Sequence, residues 1–196
     1  MIYLASQSPR RAELLAQIGV SFQQFSVDID EAPLPDEKPE DLVQRLALEK
    51  AQAGWNKVNA VAPVLGSDTI VVCAGQVLGK PVDKADGLRM LRLLSAYPHQ
   101  VLTSVALVAS AGVHCLTSAN AVCFRHLSEA EMEAYWATGE PLDKAGGYGI
   151  QGAAAVFIER LEGSYSSVMG LPLYETAQLL QQAGVKYWHY PQSLGA

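Results

Sequence analysis

Residues 64–78 read VLGSDTIVVCAGQVL. β-Branched and apolar residues flank Asp68 on both sides, Ala74-Gly75 supplies a turn, and Gln76–Leu78 is long enough for a short return strand. This is a strand folded back on itself, so the sheet that contains it has antiparallel pairing. Working towards the N-terminus, residues about 39–58 carry Leu42, Val43, Leu46 and Leu48 at helical spacing. Before them, DIDEAPLPDEKPED (28–41) is Pro-rich and acidic, and reads as an exposed loop. Ser21–Val27 alternates like a strand. Ile2–Ala5 is a short apolar strand, and the pattern Leu14, Leu15, Ile18 marks a helix ended by Gly19.

Towards the C-terminus, Lys84–Leu94 is helical, and Gln100–Val108 with His114–Phe124 reads as a β-hairpin. Ser128–Thr138 is an amphipathic helix that starts at a serine cap. GEPLDKAGGYGIQGAAA (139–155) holds five glycines between Gly139 and Gly152. Ala155–Leu161 reads as a strand, Leu173–Gln182 as a last helix, and the tail KYWHYPQSLGA has no clear period. There is no internal repeat and no low-complexity linker. The expected class is α/β, a mixed sheet with helices, in one domain over residues 1–196.

Composition narrows the function. Apolar residues make up 49% of the 196 and charged residues 17%, enough for a sizeable core and too apolar for disorder. A net charge of −6 argues against a general nucleic-acid binder, so the 14 Lys and Arg matter only where they converge. Cys73, Cys115 and Cys123 are scattered, odd in number and without a metal-ligand pattern, as expected of reduced, buried thiols. No apolar run approaches the ~18 residues of a membrane span. The positive charges of MIYLASQSPRR follow the apolar segment, the reverse of a secretory signal, so a soluble cytoplasmic protein without a membrane partner is expected.

Three segments carry chemistry. In SQSPRR (6–11), Ser8 is a helix cap and Pro9 a first-turn residue. Arg10 and Arg11 then lie where the helix dipole is already positive, which costs roughly 0.3–1 kcal/mol each unless an anion binds there. Solvation, or pairing with an acid such as Glu13, is the plainer alternative. Asp68 within an apolar run costs several kcal/mol unless paired, hydrogen-bonded or metal-bound. It either sits at a cleft, holding a divalent cation or activating water, or is a turn residue in Gly66-Ser67-Asp68. Lys50 and Lys80, taken singly, read as solvated lysines. DKAGGYGIQG (143–152) matches neither a Walker loop nor a dinucleotide fingerprint, although its glycines admit a close ligand beside Lys144, Tyr148 and Gln151. The Gln151 amide has the donors and acceptor to meet a base edge.

Together, SQSPRR, Glu31, ALEKA (47–51), GSDTIV (66–71), GKP (79–81), DKAGGYGIQG and GSYSSVMGLPL (163–173) resemble the Maf family of nucleotide pyrophosphatases in order and spacing. The resemblance covers about residues 1–182. It implies two lobes around a deep cleft, similar to the inosine-triphosphate pyrophosphatase fold, and a homodimer. It also implies cleavage of a nucleoside triphosphate between the α and β phosphates with Mg²⁺ or Mn²⁺. On it, Asp68 is the general base and a metal partner, with Glu31 as a second acid near the metal. Arg10, Arg11, Lys50 and Lys80 hold the triphosphate, supported by Ser6 and Ser8. Thr69 and Gln151, with Arg10, look like the subgroup acting on dTTP and UTP. The subgroup acting on 7-methyl-GTP typically has Gln and Glu in place of Thr69 and Gln151. The rival expectation is a nucleotide-binding regulator of septum formation that does not need Asp68.

Overall fold

Strand length and helix caps settle most of the architecture, which the computed structural model describes for residues 1–188. In chain order the elements are β1 (Ile2–Ala5), α1 (Pro9–Gln17), β2 (Phe22–Phe25), α2 (Pro39–Lys57), β3 (Val64–Cys73) and β4 (Gln76–Leu78). They continue with α3 (Lys84–Ala96), β5 (His99–Ala109), β6 (Gly112–Phe124), α4 (Glu129–Ala137), β7 (Ile158–Glu162), α5 (Tyr165–Met169) and α6 (Leu173–Gln182). The last residues of the tail, 189–196, lie outside the described residues.

All seven strands form one sheet in the order β2-β1-β3-β5-β6-β7, with β4 also on β3. β1 runs parallel to β2 and β3, and every other pair is antiparallel. The expected mixed α/β class is therefore the observed one. Ala74 and Gly75 join β3 to β4 with φ of 48° and 76°, the backbone a tight hairpin requires. On one face α2 packs Leu42, Val43 and Leu46 against Ile70 and Leu102. On the other, Leu14, Leu15, Leu179 and Leu180 cover Leu65, Val105 and Leu107, while Leu88, Leu91 and Met132 cover Val71, Val101 and Val122. Among the described residues, no helix is long and apolar enough to cross a membrane.

Four local expectations shift. The strand expected over Ser21–Val27 shortens to Phe22–Phe25, because its partner β1 offers only Ile2–Ala5 for pairing. The helix expected to end at Leu94 runs on to Ala96. The strand expected over Ala155–Leu161 begins only at Ile158, and Ala153–Phe157 is a 3-10 turn. Its alanines have little strand preference, and the Ala153 N–H is taken by the Glu140 carboxylate at 2.8 Å. Tyr165–Met169, left unassigned by periodicity, is a short helix capped by Ser164 and ended at Gly170 with φ 117°.

Candidate active site

The site begins as a gap beside β3. On that edge β1 pairs with Val64 and Leu65, and β4 pairs from Val71 onwards. Residues 66–70 lie between, facing loops instead of a strand. Two segments enter the gap: Ser6–Ser8 with the first turn of α1 follows the end of β1, and Gly79-Lys80 leaves the end of β4. A change of strand neighbour of this kind opens a crevice in α/β sheets. Here it is a cleft of about 1240 Å³ lined by Arg10, Glu31, Asp68, Thr69, Lys80 and Gln151, among others.

Asp68 and Thr69 are successive strand residues, so they face opposite sides of the sheet. Asp68 faces α2. There the Lys50 Nζ donates to Asp68 Oδ1 at 2.7 Å and pairs with Glu31 Oε1 at 2.6 Å. Asp68 is a strand residue paired with Ser104, not the turn residue of the alternative reading. Lys50 is 8% exposed and Asp68 7%, so the expectation of a solvated Lys50 is overturned. Gly66 makes the approach possible. A Cβ there would stand 2.5 Å from the Ala47 carbonyl oxygen and 2.5 Å from the Ala51 nitrogen, so α2 lies directly on the β3 backbone. Partial desolvation pushes the Glu31 carboxyl up, but the Lys50 hydrogen bond and the charges of Lys50, Lys80 and Arg11 outweigh it and hold it below its ordinary value.

On the opposite side, Arg11 donates from Nε to the Gly170 carbonyl at 2.8 Å, from NH1 to Ser6 Oγ at 3.3 Å, and from NH2 to Thr69 Oγ1 at 3.4 Å. Burial draws its pKa down, opposed by the charge of Asp68. Ser6 Oγ also accepts from the Ser8 N–H at 3.1 Å, and Ser8 caps α1 through the Arg11 N–H. Arg10 reaches Asp143 at 3.6 Å. Arg10 thus pairs with an acid, as the plainer alternative has it, though with Asp143 and not Glu13. Lys80 is exposed at the cleft and bears on Glu31.

The Gly-rich segment lines the cleft with Lys144, Tyr148 and Gln151, but the polar ends of the first two are engaged by neighbours. Gln151 is exposed there. Lys144 Nζ is turned to Asp143 and to the Glu140 carbonyl, both at 2.7 Å, and the Tyr148 hydroxyl is held by the buried His99 Nε2 at 2.8 Å. Glu140 itself was not anticipated. It accepts from Tyr135 and the Ala153 N–H, and its only sequence signal is an acid at the head of a glycine run.

Asp68 and Glu31 converge on a single ammonium, which stands where a cation is wanted. Two carboxylates completed by phosphate oxygens are a donor set that suits Mg²⁺ or Mn²⁺. Among the described residues no cluster of three or more His, Cys, Asp or Glu side chains offers an all-protein cage.

Fold and cleft together define a mixed α/β protein with an acidic couple and basic loops at a change of strand neighbour. Residues 1–183 match the family described as Maf-like protein. The chain belongs to that family. It is 54% identical over 191 residues to the dTTP/UTP pyrophosphatase of Alkalilimnicola ehrlichii, covering 95% of this chain and 94% of the relative. It is 55% identical over 181 residues to the protein of the same name from Pseudoalteromonas translucida, covering 92% and 95%. Among solved structures it is similar to the Staphylococcus aureus Ham1 protein, with a TM-score of 0.50 at 10% identity over 93% of this chain and 96% of that one. The likeness is one of fold.

Proposed function

We propose that this chain hydrolyses dTTP and UTP to the nucleoside monophosphate and pyrophosphate. The observation that carries the reading is the Asp68 carboxylate, held by Lys50 at 2.7 Å and facing a cleft whose other walls bear Arg10, Arg11 and Lys80. Relatives sharing more than half of its residues and named dTTP/UTP pyrophosphatase support the choice of substrate.

Asp68 accepts a proton from a water molecule, and the water oxygen bonds to the α-phosphorus. The bond from that phosphorus to the α–β bridging oxygen breaks, and pyrophosphate carries away the electron pair. Arg10, Arg11 and Lys80 neutralise charge growing on the leaving group, with Ser6 and Ser8 holding the turn that presents the arginines. Lys50 keeps the Asp68 carboxylate aimed. Mg²⁺ or Mn²⁺, held by Asp68 and Glu31, would supply charge neutralisation at the phosphate oxygens. Arg10, Thr69 and Gln151 select the pyrimidine base. The same reading takes the protein to be a cytoplasmic homodimer acting on free nucleotides, with neither nucleic acid nor membrane as a partner.

The test is release of pyrophosphate, against orthophosphate, from a panel of nucleoside triphosphates with Mg²⁺ or Mn²⁺, run beside Asp68→Asn. Pyrophosphate from dTTP and UTP, abolished in a variant that still binds nucleotide, is the expected result. Binding without turnover of any nucleotide would replace the hydrolase with a nucleotide-sensing regulator.

A further inference from the structure

One ammonium joins two carboxylates at the cleft, and the two bonds it makes differ in kind. Lys50 Nζ meets Asp68 Oδ1 at 2.7 Å, where both side chains are 10% exposed. It meets Glu31 Oε1 at 2.6 Å, but the Glu31 side chain is 53% exposed. Asp68 is fixed by its place in β3, paired with Ser104. Glu31 lies outside any helix or strand, in the segment between β2 and α2. The buried bond thus joins two rigid elements, and the exposed one ties a rigid lysine to a loop. Exposed ion pairs contribute little to stability and exchange partners readily, whereas a buried pair is broken only at high cost.

Charge decides what can take the place of the ammonium on Glu31. Lys80 and Arg11 act on Glu31 alongside Lys50, and Asp68 and Glu31 both act on Arg11. Two carboxylates therefore face three cations before any nucleotide arrives, and a divalent ion meets acids that are already neutralised. A triphosphate adds several negative charges and reverses that balance. We infer that Lys50 fills the cation position of the acid pair in the nucleotide-free protein, so that the divalent ion binds only together with a triphosphate. This rests on the reading that Asp68 and Glu31 hold the ion. When ion and nucleotide arrive, Glu31 gives up Lys50, while Asp68 keeps it on one oxygen and has a second for the ion. The substrate is then the metal–nucleotide complex, not nucleotide added to a preloaded metalloprotein.

Equilibrium dialysis counts the Mn²⁺ retained by the protein and needs no turnover. The probe nucleotide is UTP with an imido group in place of the α–β bridging oxygen, which resists hydrolysis. Wild type should retain Mn²⁺ at least about tenfold more tightly with the analogue than without it. Without nucleotide, Lys50→Met should retain Mn²⁺ about tenfold more tightly than wild type, and adding Glu31→Gln should remove the gain. Equal retention by wild type with and without the analogue overturns the proposal, even should Lys50→Met fail to fold. So does an affinity in Lys50→Met no tighter than wild type. Either result leaves the hydrolase reading intact. A gain in Lys50→Met that survives Glu31→Gln takes the ion away from the acid pair, and removes the reading on which the proposal stands.

Discussion

A lysine ammonium 2.7 Å from Asp68 and 2.6 Å from Glu31 holds together two carboxylates that would otherwise repel. Lys50→Met keeps most of the apolar stem and removes the charge. It leaves Asp68 buried without its partner, which should lower stability by about 3 kcal/mol and turnover on the order of a hundredfold. Adding Asp68→Asn to the same chain should return much of the stability and none of the activity. Urea unfolding reads the first effect and pyrophosphate release the second; equal stability in the single and double variants would remove the charge argument. Asp68 was legible from sequence because a carboxylate in an apolar run demands an explanation. The pairing of Lys50 with it was not, since the two lie on different elements and a lone lysine looks solvated; Lys50 entered as a phosphate ligand through family resemblance. Glu31 came only from family resemblance.

Among the elements, one acid ties the two ends of the segment between α4 and β7 together. Glu140 accepts from the Tyr135 hydroxyl at 2.9 Å and from the Ala153 N–H at 2.8 Å, while its own carbonyl receives Lys144 at 2.7 Å. A Cβ on Gly152 would run into that carboxylate. Gly152 has φ −102°, so alanine fits the backbone and the objection is purely steric. Gly152→Ala should therefore displace Glu140 and cost about 1–3 kcal/mol, measured as a lower midpoint in urea. Gln151 sits beside this anchor, and KM for UTP should rise with it. An unaltered midpoint would show that the carboxylate does not hold the segment. Helices with a clear period and the β5–β6 hairpin were legible because their signals are local. The 3-10 turn at Ala153–Phe157 and the short α5 were not, because Glu140 and Asn120 stabilise them from far along the chain.

For the molecule as a whole, burial lowers the His99 imidazole from 6.5 to about 4, and its Nδ1 is buried without a hydrogen-bond partner. The native state keeps it neutral where the unfolded chain is already protonated. Stability should thus fall as pH drops from about 6.5 towards 4, by roughly 1.4 kcal/mol per pH unit inside that window. Carboxylates such as Glu37 and Glu131, held near 2 by arginine hydrogen bonds, act on stability only lower down, as pH falls through the ordinary carboxylate range. His99→Phe should flatten the unfolding free energy between pH 6.5 and about 5. A slope equal to wild type there would assign it to other groups. The sheet class was legible from alternating patterns, but the gap beside β3 was not. It arises from register, which depends on where β1 ends and β4 begins, and neither end announces its partner. Beside that gap, Gly66 leaves α2 seated on bare backbone, with no side chain between helix and strand. Mutational tolerance at the candidate site is therefore low at a residue with no functional group. The smallest possible enlargement, one methyl, would lift Lys50 away from Asp68.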